Sequence, residues 1–452
     1  MRDLWYHRPM EKTQPLFNDE LEYPLESKPP WAEAFVVGFQ HVLAMFAGIV
    51  TPPLIVAGAL NMDIQEKAFF IGMALFASGA ATFIQVRKFG PVGSGLLSVQ
   101  GTSFTFLKPA LQAGQAGGLP LILGMSIAGA PAEMLVSRLI AHARRLFPPL
   151  VTGTAVSLIG LSLIRVGMTN VGGGHGAKDF GSYTHLGLAL LVLAVIVLLN
   201  RFGSPFMRVG AIMIGIVVGY TVAACKGLID FSVLQSTPWF NVPRPFKYGL
   251  AFDWKHFLPW FLAYLVTSVE SVGDLTATSV VSNEPITGDT YRSRIAGGTL
   301  ADAIGSILAA LFNSLPNTTF SQNNGVIQMT GVASRRVGFA VSGILVLLGL
   351  CPKLGALVSL MPNAVLGGAT LALFGMVAAA GIRILSMARL DGRGMLILAI
   401  GLATGMGIEM VPEILKKLPE LAQVTLGTGL VTGTMVTLIL NLVFPEVKPE
   451  LA

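Results

Sequence analysis

The chain has 452 residues; 12% are charged, 53% are hydrophobic, and the formal net charge is +6. Soluble globular domains carry roughly 25% charged residues, so a soluble chain of this size would lack polar cover for its core. The composition points to an integral membrane protein and excludes soluble enzymes and nucleic-acid binders, and the basic excess reads as cytoplasmic loop charge.

Residues 1–32 hold Arg2, Glu11, Lys12, Asp19, Glu20 and Lys28 without an apolar core, so they read as a cytoplasmic tail and not as a secretory signal peptide. A spanning helix needs about 20 mostly apolar residues. Fourteen stretches are candidates: 33–57, 66–86, 95–113, 118–141, 149–167, 184–200, 208–227, 256–281, 296–314, 320–333, 337–357, 362–386, 394–411 and 420–444. Residues 446–452 form a short C-terminal tail. Segments three and ten are rich in Gly, Ser, Thr, Asn and Pro, and are expected to be broken or extended in part. Cys225 and Cys351 give neither a disulfide framework nor a metal-ligand spacing.

Short even-numbered connections hold the clustered basic residues: Arg87 and Lys88; Arg138, Arg144 and Arg145; Arg201 and Arg208. Arg292 and Arg294, Arg335 and Arg336, and Arg383, Arg389 and Arg393 continue the pattern. This bias places both termini in the cytoplasm, as an even number of spans requires. The halves are related. Gly101-Thr102-Ser103-Phe104 parallels Asn317-Thr318-Thr319-Phe320, and Pro148, Val151 and Gly153 parallel Pro362, Val365 and Gly367. The offsets are 216 and 214 residues, which implies a seven-plus-seven inverted repeat. In transporters built this way, interrupted segments at matching positions mark the substrate site.

Ionisable groups inside spans are functional candidates because burying them is costly. His41 lies in segment one, Glu270 and Asp274 in segment eight, and Asp302 in segment nine. Glu270 and Asp274 stand four residues apart, on one helix face. Two carboxylates so placed in a low dielectric repel each other, which offers a route to carrying a proton. Plainer roles stay open: His41 bonding a neighbouring carbonyl, or Asp274 capping a half-helix or meeting an interior donor. Glu133 and Lys108 read as structural or interfacial, since long side chains near span ends reach the headgroups. The densest polar run is Pro316 to Gly325. The carboxamides of Gln322 and Asn323 match the adjacent N–H and C=O of a nucleobase edge, and Phe104 and Phe320 offer aromatic faces. Alternatively, the polar run only fills the helix break.

The run Gln322-Asn323-Asn324-Gly325-Val326-Ile327-Gln328-Met329-Thr330-Gly331 fits the signature of the nucleobase-cation symporter family, also called nucleobase-ascorbate transporters. The chain resembles that family, and bacterial xanthine permeases in particular, from about residue 30 to 445. Gln40 to Phe46, Gly93 to Gln100, Pro245 to Gly249, Gly273 to Thr278 and Gly331 to Arg335 carry the rest of the likeness.

The resemblance implies fourteen spans in two domains. The core comprises 33–145 and 256–360, and the gate comprises 146–255 and 361–445. It implies that Glu270 binds the purine ring, that Gln322 makes the second side-chain contact, and that Asn323 tunes affinity and specificity. Phe104 and Phe320, with Ser103 and Gln100 beside them, complete the implied substrate site. Asp302 and Asp274 are implied in proton coupling, with His41 as support. Gln followed by Asn is the xanthine and uric acid pattern, where uracil carriers have Glu. Ser103 stands where xanthine permeases often place Asn, and a smaller residue there leaves room for the 8-oxo group of uric acid.

The expectation is therefore a proton-coupled importer of xanthine or uric acid in the inner membrane, multi-pass, homodimeric and elevator-like. It would use no cofactor beyond the proton as coupling ion. A carrier of uracil or of adenine and guanine, or an anion exchanger or channel on the same architecture, are the alternatives. The chain has no His-Glu-x-x-His, paired metal ligands or nucleophile elbow, so it does not read as an enzyme.

Overall fold

The computed structural model describes residues 21–143 and 148–444. Arg144, Arg145, residues 1–20 of the expected N-terminal tail and the tail 446–452 lie outside the described residues. Helices α1 (Trp31–Ala59) and α2 (Ile64–Arg87) lead to strand β1 (Gln100–Thr102), a single 3-10 turn (Phe104–Phe106) and α3 (Leu107–Ala143). There follow α4 (Pro149–Val171), α5 (Tyr183–Phe202), α6 (Pro205–Val209), α7 (Ala211–Cys225) and α8 (Ser232–Ser236). The second half holds α9 (Trp254–Val281), α10 (Gly288–Leu311), β2 (Asn317–Thr319), α11 (Gln322–Thr330) and α12 (Arg335–Gly349). It continues with α13 (Pro352–Ser359), α14 (Asn363–Leu385), α15 (Gly392–Met410), a 3-10 turn (Pro412–Leu415), α16 (Glu420–Leu426) and α17 (Gly429–Val443).

Eight of these helices are long and apolar enough to cross a bilayer, or ten if two bent pairs each count as one span. Length and apolarity alone thus fall short of the expected fourteen. Segment seven ends as a 15-residue helix, α7, and segment ten as the nine-residue α11. Segments three and four run together as α3, interrupted where Gly117 and Gly118 (φ 67°) leave helical geometry. Segments eleven and fourteen carry sharp bends absent from the expectation: 76° between α12 and α13, and 83° between α16 and α17. Pro352 and the Gly427-Thr428-Gly429 run sit at those bends.

The packing obeys a two-fold exchange of the halves. α2 packs on α12 and α10 on α3; α1 packs on α12 and α9 on α3. α5 lies on α7 and α15 on α17, while α4 and α14 lie along each other. Each pair maps onto its partner when α1, α2, α3, α4, α5 and α7 are exchanged for α9, α10, α12, α14, α15 and α17. β1 and β2 meet antiparallel in the middle, Gly101 opposite Thr318. Antiparallel pairing across the exchange is what a two-fold axis crossing the strands produces. The counterparts α5 and α15 are also alike in exposure: only 22% of each apolar window is buried, against 78% for α2. Apolar faces left uncovered this way need lipid or another apolar surface against them.

The segment before α1 lies across the loop between α11 and α12. Tyr23 N–H donates to Gly331 O (3.2 Å), Ala333 N–H to Tyr23 O (2.8 Å) and Arg335 N–H to Leu25 O (3.1 Å). Ser334 Oγ donates to Ser27 O (2.7 Å).

Candidate functional site

The two short strands set the site. Thr102, Thr318 and Thr319 are β-branched and suit extended backbone. The ladder is prolonged by Ser103 N–H to Pro316 O (2.8 Å) and Phe320 N–H to Val99 O (3.1 Å). Hydroxyls from the flanking helices satisfy the outer edges: Thr82 Oγ1 accepts from Gln100 N–H (2.9 Å), and Ser306 Oγ accepts from Asn317 N–H (3.1 Å). A side chain at Gly101 would have to displace the Phe320 ring, because a Cβ there would meet Phe320 Cζ at 2.6 Å and Ile49 Cγ1 at 2.9 Å. Interrupted backbone at this depth is tolerated because it is buried in protein and fully bonded.

One face of α9 runs along the strands. Glu270 accepts from Thr105 Oγ1 (3.3 Å), Asp274 from Thr319 Oγ1 (3.1 Å), and Thr278 Oγ1 donates to Asn324 Oδ1 (2.8 Å). These positions, spaced four residues apart, dock α9 to the first turn after β1, to β2 and to α11. Thr267 Oγ1 donates to Thr318 Oγ1 (3.1 Å), and Asp302 accepts from Ser271 Oγ and, at 3.5 Å, from Thr318 Oγ1. Asp274 therefore meets an interior donor. His41 lies against Asn323 with both ring nitrogens unpartnered among the described residues, so it makes no carbonyl bond.

The ten candidate residues divide by accessibility. Glu270, Gln322 and Phe104 remain partly exposed. Asp274, Asp302, His41, Asn323, Phe320, Ser103 and Gln100 are buried. Asn323, Phe320, Ser103 and Gln100 are enclosed by protein in this structure. The Asn323 amide donates to Leu97 O (2.5 Å). Phe320 fills the gap between Gly48 and Gly101, and Ser103 Oγ accepts from Thr105 N–H (3.3 Å) as a cap. Gln100 is enclosed with its side-chain amide unpartnered. Phe104, by contrast, meets the ring of Phe374 on α14 edge-on at 5.3 Å and 88°.

Two further positions take structural contacts, one of the roles expected for them. Lys108 pairs with Glu409 of α15, whose other oxygen accepts from Gly429 N–H (3.0 Å). Glu133 is wholly buried, beside Asp302. Of the hydroxyls that join the acids to the strands, Thr105, Thr318 and Thr319 lie in or beside the weak segments, whereas Ser271 on α9 carried no signal in the sequence.

The chain matches the sequence model of a permease family over residues 32–414. It is 44% identical to xanthine permease XanP of Escherichia coli (strain K12), across 98% of this chain and 97% of that protein. It is 43% identical to xanthine permease XanQ of the same organism, across 94% of each. Its fold matches the murine anion transporter Slc26a9 in the inward-facing state with a TM-score of 0.64, at 13% identity, covering 92% of this chain and 68% of that one.

Proposed function

The chain belongs to the nucleobase-ascorbate transporter family, and from that premise we propose that it imports a purine nucleobase, xanthine or uric acid, together with a proton. As a permease of this family it is a multi-pass membrane protein and a transporter, not an enzyme. The observation that carries the substrate reading is the accessibility of Glu270, Gln322 and Phe104 amid polar groups that are otherwise buried. A carboxylate accepts from ring N–H groups, a carboxamide matches the adjacent N–H and C=O, and the phenyl ring covers the flat face. Asn323, Phe320, Ser103 and Gln100 support that site from behind, and His41 and Asp274 brace it.

The acids Glu270, Asp274 and Asp302 all crowd the strand crossing. Such a site suits a ring presenting N–H donors better than an inorganic anion, which argues against an anion exchanger. No cofactor enters the reading; the proton is the coupling ion. In this reading the protein works in the inner membrane with both termini cytoplasmic, as a homodimer in which residues 33–145 and 256–360 move as a core against a gate of 146–255 and 361–445.

Uptake of labelled xanthine and uric acid, in a bacterial strain lacking its own purine uptake, tests the reading. Saturable uptake displaced by unlabelled xanthine and abolished by a protonophore is expected. Absence of purine uptake by protein present in the membrane overturns the substrate reading, and uptake indifferent to the protonophore overturns the coupling.

A further inference from the structure

Glu133 sits in the second part of α3, where α3 packs on α9 and α10. It is fully buried. From α10 it faces Asp302; from α9 it faces Glu270, Ser268 and Tyr264. No lysine, arginine or histidine acts on it among the described residues.

Counting donors shows what is missing. The Ser268 hydroxyl donates to Tyr264 O (2.8 Å), and the Tyr264 hydroxyl donates to Ser126 O (2.6 Å). Both are therefore spent. Asp302 Oδ2 takes the hydroxyls of Ser271 and Thr318, while Asp302 Oδ1 and both Glu133 oxygens have no donor among the described residues. Three orphaned acceptors thus share one buried wedge with no cationic side chain bonded to them among the described residues. Burying ionised carboxylates that way costs several kcal/mol. Two carboxyl groups within hydrogen-bonding range of each other can bond only if a proton lies between them.

We propose that Glu133 and Asp302 form a carboxyl pair that holds one proton between them, and that Glu133 is thereby a positioning residue for proton coupling. The inference rests on the proton-coupled reading above. The proton bonds to one carboxyl oxygen and is accepted by the facing one; when it leaves, that O–H bond breaks and the pair is left with one more negative charge. Without a nearby cation such a dianion is disfavoured, so release requires a rearrangement that brings donors or water to the wedge. Proton release is thereby tied to the transport movement.

Glu133→Gln tests this, because the amide keeps the shape and permanently supplies Asp302 with a donor. Wild type and variant are compared for net accumulation across an imposed pH gradient, and for counterflow, in which labelled purine exchanges with preloaded purine. Accumulation is expected to fall roughly tenfold or more and its pH profile to flatten, with counterflow within about twofold of wild type. Glu133→Asp is expected to restore the pH profile in part. In purified protein the carboxylic-acid C=O band of the infrared spectrum should weaken in Glu133→Gln. An unchanged pH profile with an unchanged infrared band overturns the proposal. So does equal loss of counterflow and accumulation in both variants at normal membrane levels, which would mark Glu133 as a packing residue. Failure of the wild-type chain to take up purine, or to respond to a protonophore, is seen before any variant is made and falls on the proposed function instead; the infrared comparison then decides the shared proton alone.

Discussion

At the scale of single residues the site separates groups that reach solvent from groups that hold them. Glu270→Gln replaces one acceptor oxygen by a donor facing ring N–H groups. Losing a charged hydrogen bond and leaving a donor unmatched costs about 1.5–3 kcal/mol, so the half-saturation constant for xanthine should rise roughly 10–100-fold. A competition assay measures this; unchanged affinity would remove Glu270 from the site. Gln322→Glu should weaken xanthine displacement and strengthen uracil displacement in the same assay, since the carboxylate loses the amide donor. Glu270, Asp274 and Asp302 were legible because ionisable groups stand out in apolar runs. Glu133 gave the same signal, but its reading as structural or interfacial left it outside the candidate site. α3 continues to Ala143, which leaves Glu133 about 15 Å of helix from the terminus, beyond the reach of its side chain. The burial of Asn323 was not legible at all: its partner, Leu97 O, lies 226 positions away in the chain.

At the scale of elements, the crossing of β1 and β2 depends on the absence of a side chain at residue 101. Gly101→Val should displace the Phe320 ring and cost roughly 1–3 kcal/mol as an overpacked position. Uptake should be lost with a lowered melting temperature in detergent, whereas Gly343→Ala, on α12 with open space around its Cβ position, should change neither. Normal uptake by Gly101→Val would mean that the ring contact is dispensable. That residues 95–103 and 313–321 leave helical geometry was legible from Gly93, Gly95, Pro316 and the surrounding hydroxyl residues. Their register was not, since pairing Gly101 with Thr318 requires helices from both halves to be in place first. The bends after α12 and α16 were not legible because Pro352-Lys353 and Gly427-Thr428-Gly429 are short interruptions within otherwise apolar stretches.

At the scale of the whole molecule, the two-fold exchange of packing pairs bears out the inverted repeat that two short matches in the sequence foretold. The link from Lys108 on α3 to Glu409 on α15 joins what are proposed as core and gate. If those bodies move past each other, the link breaks in each cycle. A chain with Cys225 and Cys351 replaced by serine, and with Lys108→Cys and Glu409→Cys, should lose uptake on oxidation and regain it with a reductant. Full uptake by the cross-linked protein would rule out relative motion at this point. The segment hydrogen-bonded across the α11–α12 loop has a different consequence. At nine residues α11 is too short to hold its own position, so residues 21–27 act as a splint on its far end. Fusion partners and affinity tags should therefore be joined ahead of residue 21. Trimming into the splint would set Gln322 adrift from the opposite end of its own helix, a lesion in recognition caused from the rim of the protein.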